Sequence, residues 1–174
     1  MAPLPMEQHP DKRVDVLIFR NVKNVAELPT LLKEGKINSV ILNEARVVGK
    51  LQLAVAINNA LHNQKRNTMK TRSINTEIML CLSPSNNISS SLKIFGMSEQ
   101  ARGAVTVTVS DNDKDAIEEI QKLKIQIHGD LVNDCRGFFY DDFEVSDAYH
   151  ITKEELSIDT LENSVVMKLA TKSC

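Results

Sequence analysis

Three short stretches of apolar and β-branched residues predict β-strands. Residues 14–19, V-D-V-L-I-F, are rich in β-branched and aromatic side chains. Residues 104–110, A-V-T-V-T-V-S, alternate with a period of two, which is typical of a half-buried strand. Residues 39–42 form a shorter apolar run. Helical patterns separate the three stretches, so the chain is expected to combine helices with a small sheet.

Apolar residues at helical spacing predict the helices. Residues 50–65 have a broad apolar stripe, which indicates a helix that is covered on most sides. Residues 74–82 fit helical spacing better than strand alternation, and Pro84 ends that segment. Asn86 or Asn87 is expected to cap a following helix that closes at Gly96.

The last third of the chain is less regular. A helix capped by Asp111, Asn112 or Asp113 is expected to contain Ile117, Ile120 and Leu123, and residues 124–128 permit a strand. Residues 130–145 give no clear pattern. Thr152 and Glu155 have capping-box spacing, and residues 157–171 predict one C-terminal helix. Its apolar stripe contains Ile158, Leu161, Val165 and Leu169.

Composition narrows the fold class. Of 174 residues 42% are hydrophobic but only 4% are aromatic, and Trp is absent, which favours helices packed on a sheet over an aromatic-rich sandwich. The expected fold is one α/β domain over residues 13–174, with helices around a small central, mostly antiparallel or mixed sheet. Residues 1–12 contain three prolines and are expected to form a flexible tail.

Charge is unevenly distributed along the chain. The net charge is −2, yet residues 1–100 carry +5 and residues 101–174 carry −7. Two interpretations stay open, a chance imbalance on solvated surfaces and a positive patch for phosphates.

Familiar catalytic and cofactor motifs are absent from the sequence. It contains no dinucleotide fingerprint, P-loop, zinc-protease motif or nucleophile elbow. Four scattered histidines, three widely spaced cysteines and the acidic Asp141, Asp142 and Glu144 lack the spacing of a metal site. We therefore expect a binding protein rather than an enzyme, with no cofactor and no metal. The N-terminus lacks the apolar core of a signal peptide and no segment is long enough to span a membrane, so the chain is expected to be soluble and intracellular.

The densest set of motifs lies in residues 70–96, K-T-R-S-I-N-T-E-I-M-L-C-L-S-P-S-N-N-I-S-S-S-L-K-I-F-G. This segment resembles the PRPK-binding protein (TPRKB-type) family of KEOPS subunits, whose signature is K-T-R-x-x-x-T-E-I, L-S-P-x-N-N-I and L-K-x-F-G. The strand at 14–19, the N-V-K-N that follows it and the closing S-I-x-T-L and T-K are also similar. The resemblance covers most of the chain and is weakest over residues 98–148.

The resemblance implies a non-catalytic, regulatory subunit with a single α/β domain. KEOPS makes the threonylcarbamoyl modification on adenosine 37 of tRNAs, and a separate transferase subunit performs the transfer. This subunit would dock on the N-lobe of the complex's atypical small kinase/ATPase, support its activity and help recruit tRNA by its 3′ CCA end. It would contact the transferase only indirectly, and it would reside in the cytoplasm and nucleus.

Candidate residues follow for both partners. The expected tRNA-binding residues are four cations and two amides, namely Lys65, Arg66, Lys70, Arg72, Asn86 and Asn87. Structural roles are open for some of them, since Arg72 could pair with Glu77 and Asn87 could simply cap a helix. The expected kinase-binding residues lie on the C-terminal helix, with part of its stripe facing the protein's own core. They are Leu161, Val165, Met167 and Leu169.

Two other functional interpretations remain at this point. One is a kinase-regulatory adaptor with no nucleic-acid role. The other is a small-molecule enzyme whose catalytic residues are dispersed along the chain.

Overall fold

A computed structural model of the protein describes residues 3–132 and 137–172. Its chain divides into two compact units, residues 1–44 with 97–136 and residues 45–96 with 137–174. The first unit holds a four-stranded sheet, and the second is helical in the part that is described. The predicted α/β class is confirmed.

The sheet is antiparallel throughout. Its strands are β1 (Arg13–Arg20), β2 (Val40–Asn43), β3 (Ala104–Ser110) and β4 (Asp130–Val132), in the order β2-β3-β1-β4. In the central pair, Val16 lies opposite Val107 and Leu17 opposite Thr106. The β-branched residues of β1 and β3 suit these central positions, where pleated neighbours on both sides constrain the side chain. The three predicted strands are confirmed, but β3 is buried on both faces, where its alternation predicted a half-buried strand. β4 is an edge strand that the sequence pattern did not predict.

In the described part of this unit there are also two α-helices, α1 (Leu28–Lys33) and α5 (Asp113–Gln126). Leu28, Leu123 and the adjoining Ile127 are buried in one cluster with Leu17 and Phe19 of β1. Asn112 caps α5 by accepting a hydrogen bond from the Asp115 N–H. A strand over residues 124–128 is wrong, because the apolar spacing of Ile120, Leu123 and Ile127 continues the helical face to the end of α5.

The N-terminal residues make definite contacts within the first unit. The Leu4 N–H donates to the Val14 carbonyl at 2.7 Å, and the side chains of Met6 and His9 are buried. These residues belong to the segment that was expected to form a flexible tail, and the tail stays a prediction. The prediction of a single domain over residues 13–174 is not tested by them.

The second unit contains six helices in its described part. They are α2 (Lys50–Lys65), α3 (Ile74–Leu82), α4 (Ile88–Phe95), α6 (Asp142–Tyr149), α7 (Lys153–Ile158) and α8 (Leu161–Ala170). The predicted helix over residues 50–65 is confirmed as α2, whose face of Leu53, Ala56, Ile57 and Ala60 is fully buried, while Leu51 at its start is 51% exposed. The preference for a helix over residues 74–82 is confirmed as well.

The predicted C-terminal helix over residues 157–171 is two helices instead of one. Thr152 and Glu155 form the full capping box of α7, as their spacing predicted. α7 ends at Ile158, and Thr160 starts α8 by accepting a hydrogen bond from the Asn163 N–H. The Asp159 carboxylate strengthens the break by accepting from the Thr160 N–H and the Asn163 amide, each at 2.7 Å. We call α7 and α8 together the apolar hairpin.

Candidate functional site: a cationic loop and an apolar hairpin

Residues 68–73, which we call the cationic loop, connect α2 to α3 and are anchored by a buried carboxylate. Oε2 of Glu77 accepts hydrogen bonds from the Lys70 N–H at 3.1 Å, the Thr71 N–H at 3.0 Å and the Thr71 hydroxyl at 2.8 Å. Oε1 accepts from Nδ2 of Asn63 on α2 at 3.0 Å. The Glu77 side chain is fully buried. It therefore fastens the loop to the last turn of α2 and does not form the ion pair with Arg72 that their spacing in the sequence allowed.

This anchoring brings the four predicted cations to one region. Lys65 and Arg66 end α2 just after Asn63, while Lys70 and Arg72 belong to the loop that Glu77 joins to Asn63. All four side chains are exposed, and none pairs with a carboxylate of residues 3–132 or 137–172. Cations without such partners remain available to phosphate groups.

A polar cavity of about 350 Å³ adjoins this cluster. Its polar lining offers amides, an imidazole, a hydroxyl and two cationic side chains. The lining residues are Asn59, His62, Asn63, Arg66, Thr68, Ala170 and Lys172. A cavity of this size lies in the range of small-molecule sites. Lys172 and Asn63 already donate within the protein, so the exposed Arg66 and His62 are the lining side chains that suit a polar anionic ligand.

The two predicted amides lie at the other end of α3. Asn87 caps α4, because its Oδ1 accepts from the Ser90 N–H at 3.0 Å. The structural alternative for this residue, that it caps a helix, is therefore confirmed, and its side chain is exposed. Asn86 is exposed beside it. The nine residues of α3 separate this corner from the cationic loop by about 13 Å of helix. The structure does not bring the amides next to the cations.

Two residues that are distant in the sequence donate hydrogen bonds to the carbonyls of residues 80–85, at the end of α3 and just after it. Nζ of Lys172 donates to the carbonyls of Leu80, Ser83 and Ser85 at 2.7, 2.7 and 3.0 Å. The Tyr149 hydroxyl donates to the Leu82 carbonyl at 2.6 Å. The last carbonyls of a helix have no partner within the helix, and a cation there also suits the helix dipole. No sequence pattern signals either contact, since about 90 residues separate Lys172 from its acceptors.

Tyr149 is the centre of a buried polar network. Its hydroxyl accepts from Nε2 of Gln52 at 2.7 Å, while Oε1 of Gln52 accepts from the Val48 N–H at 2.8 Å. The Tyr149 ring packs edge-on against Phe95, with ring centroids 5.6 Å apart. Burial raises the pKa of Tyr149 well above its usual value, and the hydrogen bond from Gln52 opposes that shift.

The apolar hairpin exposes only part of the predicted kinase-binding set. Met167 is 60% exposed and Leu161 is half-buried. Val165 and Leu169 are fully buried and cannot meet a partner. The prediction that these two residues bind the kinase is therefore wrong, because their face of α8 packs inside the protein. Two residues outside the predicted kinase-binding set are exposed on α7. They are Leu156, which the sequence pattern did not single out, and the 86% exposed Ile158, which was placed only in the apolar stripe. The second cap at Thr160 was the available signal that the helix breaks and turns Ile158 outward.

A shallow groove of about 350 Å³ lies along the apolar hairpin. Its apolar side chains are Ile158 and Met167, and charged residues border them. Lys168 pairs with Glu155 at 3.1 Å and donates to the His150 carbonyl. Hydrogen bonds from the Thr152 N–H and from Lys168 hold the pKa of Glu155 below its usual range. An exposed apolar pair with a charged rim is the usual composition of a protein-binding surface.

Other kinds of site find little support in the described residues. No group of three or more His, Cys, Asp and Glu side chains among them is arranged to hold a metal ion. None of their helices combines the length and apolar character that crossing a bilayer requires.

The chain is similar to known proteins over nearly its whole length. A family model described as "Kinase binding protein CGI-121" matches residues 19–173. The chain is similar to the EKC/KEOPS complex subunit TPRKB of Danio rerio, with 34% identity over 160 residues, 91% of this chain and 90% of the relative. It is similar to the EKC/KEOPS complex subunit cgi121 of Schizosaccharomyces pombe, with 28% identity over 165 residues and 92% of each chain. The corresponding CGI121 subunit of Candida glabrata is 26% identical over 157 residues, 90% of this chain and 86% of the relative.

Proposed function

Since the chain belongs to the CGI-121 family of kinase binding proteins, we propose that it is a non-catalytic, regulatory subunit of a KEOPS complex. In this role it docks on the N-lobe of the complex's atypical kinase/ATPase and supports its activity. It also helps to recruit tRNA by the 3′ CCA end, so that the transferase subunit can modify the tRNA. We propose further that it works in both cytoplasm and nucleus, which a fluorescent fusion at native expression would test.

The apolar hairpin is the proposed kinase-binding surface, and its exposed apolar pair is the observation that supports this most directly. Ile158 and Met167 line one groove, and both are more than half exposed. Burying an apolar side chain of this size at an interface is worth about 1.5–3 kcal/mol. Two such residues could therefore account for a large part of the affinity of a small interface.

Introducing a charge at the groove tests the kinase interaction. Ile158→Glu and Met167→Glu are expected to weaken co-purification of the kinase at least tenfold each, because each would bury an unpaired carboxylate at the interface. Ile125→Glu is the matched control, since Ile125 is 70% exposed on α5 and lies outside the hairpin. All three proteins should keep their thermal stability. Kinase binding that is unchanged in both hairpin variants would reject this surface.

The cationic loop and the end of α2 are the proposed tRNA surface. The four exposed cations, Lys65, Arg66, Lys70 and Arg72, supply the charge, and the adjoining polar cavity supplies a place for a terminal nucleotide. Single-stranded nucleic acid binds to cationic grooves through its backbone, with few base contacts. Asn86 and Asn87 are farther away and would contact only a longer stretch of the acceptor end.

Binding measured across a salt series tests the tRNA role. Lys70→Ala/Arg72→Ala is expected to weaken tRNA binding and to reduce the slope of log K against log salt by about 0.7 for each phosphate that is no longer neutralised. Lys114→Ala/Lys124→Ala makes the same charge change on exposed lysines of α5 and should leave the slope unchanged. Removing the CCA end from the tRNA should weaken its binding to the wild-type protein at least as much as the Lys70→Ala/Arg72→Ala substitution does. Equal affinity for both tRNAs would favour a kinase adaptor with no nucleic-acid role.

A further inference from the structure

The buried carboxylate of Glu77 is unusual in its partners. Every hydrogen bond it accepts comes from a neutral donor, either a backbone N–H, a hydroxyl or the Asn63 amide. No cation among residues 3–132 and 137–172 forms an ion pair with it. Burying a carboxylate without an opposite charge is costly, and the cost is offset only when several good donors surround it.

The donors come mostly from the cationic loop. Two successive backbone N–H groups and the Thr71 hydroxyl converge on a single oxygen, Oε2, within 3.1 Å. The hydrogen bond to Glu77 fixes the backbone of Lys70, while the Lys70 side chain is exposed. The loop continues directly into α3, where Ser73 caps the helix by accepting from the Thr76 N–H. Arg72 is thus held between two anchored residues, Thr71 and Ser73.

We propose that Glu77 is the positioning residue of the tRNA surface. Its carboxylate holds the backbone of Lys70 and Thr71 against α2, so that both cation pairs face the nucleic acid before it arrives. This inference rests on the proposed tRNA role. Glu77 itself is buried and touches no nucleic acid, so it acts only through the residues it holds. Fixing the backbone of a loop has an entropic cost, and a loop that is ordered in advance avoids that cost on binding.

The reach of the carboxylate, more than its charge, is what this role requires. Glu77→Asp keeps the charge but withdraws the oxygens by about 1.5 Å, one carbon–carbon bond. Glu77→Gln keeps an acceptor oxygen at full reach, provided that the Asn63 amide turns over to receive its new N–H groups. Thr71→Val removes one donor from the loop and leaves the buried residue intact. Thr30→Val is its control, since it makes the same chemical change at an exposed position of α1, outside the cationic loop and the polar cavity.

The experiment measures three quantities on the full chain. They are amide hydrogen exchange at Lys70 and Thr71, tRNA affinity across a salt series, and kinase binding. For Glu77→Asp and Thr71→Val we expect exchange at these amides to accelerate at least tenfold. Affinity for tRNA should fall on the order of tenfold in Glu77→Asp and about threefold in Thr71→Val, with a shallower salt slope. Glu77→Gln should bind tRNA better than Glu77→Asp. Thr30→Val should match wild type, and kinase binding should not change in any variant.

The outcomes separate the two proposals. If wild type binds no tRNA, the proposed function fails, and this inference fails with it. If wild type binds but Thr71→Val and Glu77→Asp bind equally well with the same salt slope, the positioning role alone is overturned. A Glu77→Gln protein that is weaker than Glu77→Asp would also overturn it, since charge would then matter more than reach. If Glu77→Asp does not fold, the milder Thr71→Val variant decides whether the positioning role holds, through its amide exchange and its tRNA affinity.

Discussion

Replacing Tyr149 by Phe removes a single buried oxygen from the centre of the helical unit. That oxygen donates to the Leu82 carbonyl at 2.6 Å and accepts from Nε2 of Gln52 at 2.7 Å. Phe would keep the edge-on contact with Phe95, so the packing is expected to survive. The substitution therefore isolates the two hydrogen bonds.

The expected loss of stability can be worked out from these contacts. Each hydrogen bond contributes about 1 kcal/mol net, and a buried acceptor left without its donor costs about 1–3 kcal/mol more. The loss of the hydrogen bond from Gln52 costs less, because Nε2 of Gln52 still donates to the Arg46 carbonyl at 3.3 Å. The free energy of unfolding should fall by about 3 kcal/mol. For a chain of this length that corresponds to a drop in Tm of roughly 10 °C.

Urea unfolding followed by circular dichroism measures this change. Tyr140→Phe is the control, because Tyr140 is exposed and should alter stability by less than about 0.5 kcal/mol. A Tyr149→Phe protein within about 0.5 kcal/mol of wild type, with the same dependence on urea, would refute the reasoning.

Alkaline pH gives an independent test of the same network. Burial raises the pKa of Tyr149 in the folded protein, while a tyrosine in the unfolded chain ionises near its ordinary value of about 10. The folded state therefore keeps a proton that the unfolded state loses. This contribution is fully present below about pH 10 and is lost as pH rises toward the folded value. The stability advantage of wild type over Tyr149→Phe should shrink by about 1.4 kcal/mol per pH unit above about pH 10. A constant difference would contradict the assignment.

Three further substitutions test other contacts, each by urea unfolding. Lys172→Met removes the cation from three carbonyls at the end of α3 and should cost about 2 kcal/mol; no loss would mean that water replaces it freely. Gly103→Ala would place a methyl group against the buried Glu44 carboxylate and displace it from its ion pair with Arg20. The free energy of unfolding should fall by about 1–3 kcal/mol, and an unchanged value would show that Glu44 can move. Asn87→Ala removes the cap of α4 and should cost about 1 kcal/mol, whereas Asn86→Ala, at the neighbouring position that does not cap, should cost little.

Local sequence patterns were enough to predict the regular elements. The alternation of β3, the stripe of α2 and the capping residues Asn87 and Asn112 each depend on interactions within a few positions. The elements and caps appear in the structure at nearly the predicted positions, although β3 is buried on both faces and Leu51 of α2 is half-exposed. The break at Thr160 also had a local signal, but the longer apolar stripe through Ile158 obscured it.

The candidate sites depended on contacts that the sequence does not specify. Glu77 lies five positions after Arg72, which suggested an ion pair, yet its carboxylate is turned inward to Asn63 and the loop backbone. The roles of Lys172 and Tyr149 require segments about 70–90 residues apart to meet. Likewise, the stripe of α8 did not indicate which side faces the core. Burial of Val165 and Leu169 could be known only from the packed structure.

In the proposed role, one small protein binds a kinase and a tRNA through separate surfaces at the same time. Mass photometry of the protein mixed with the kinase and tRNA tests it most directly. Wild type should form a ternary species. Ile158→Glu/Met167→Glu should leave only the complex with tRNA, and Lys70→Ala/Arg72→Ala should leave only the complex with the kinase. Competition between kinase and tRNA for wild type, or loss of both partners from one folded variant, would contradict the account.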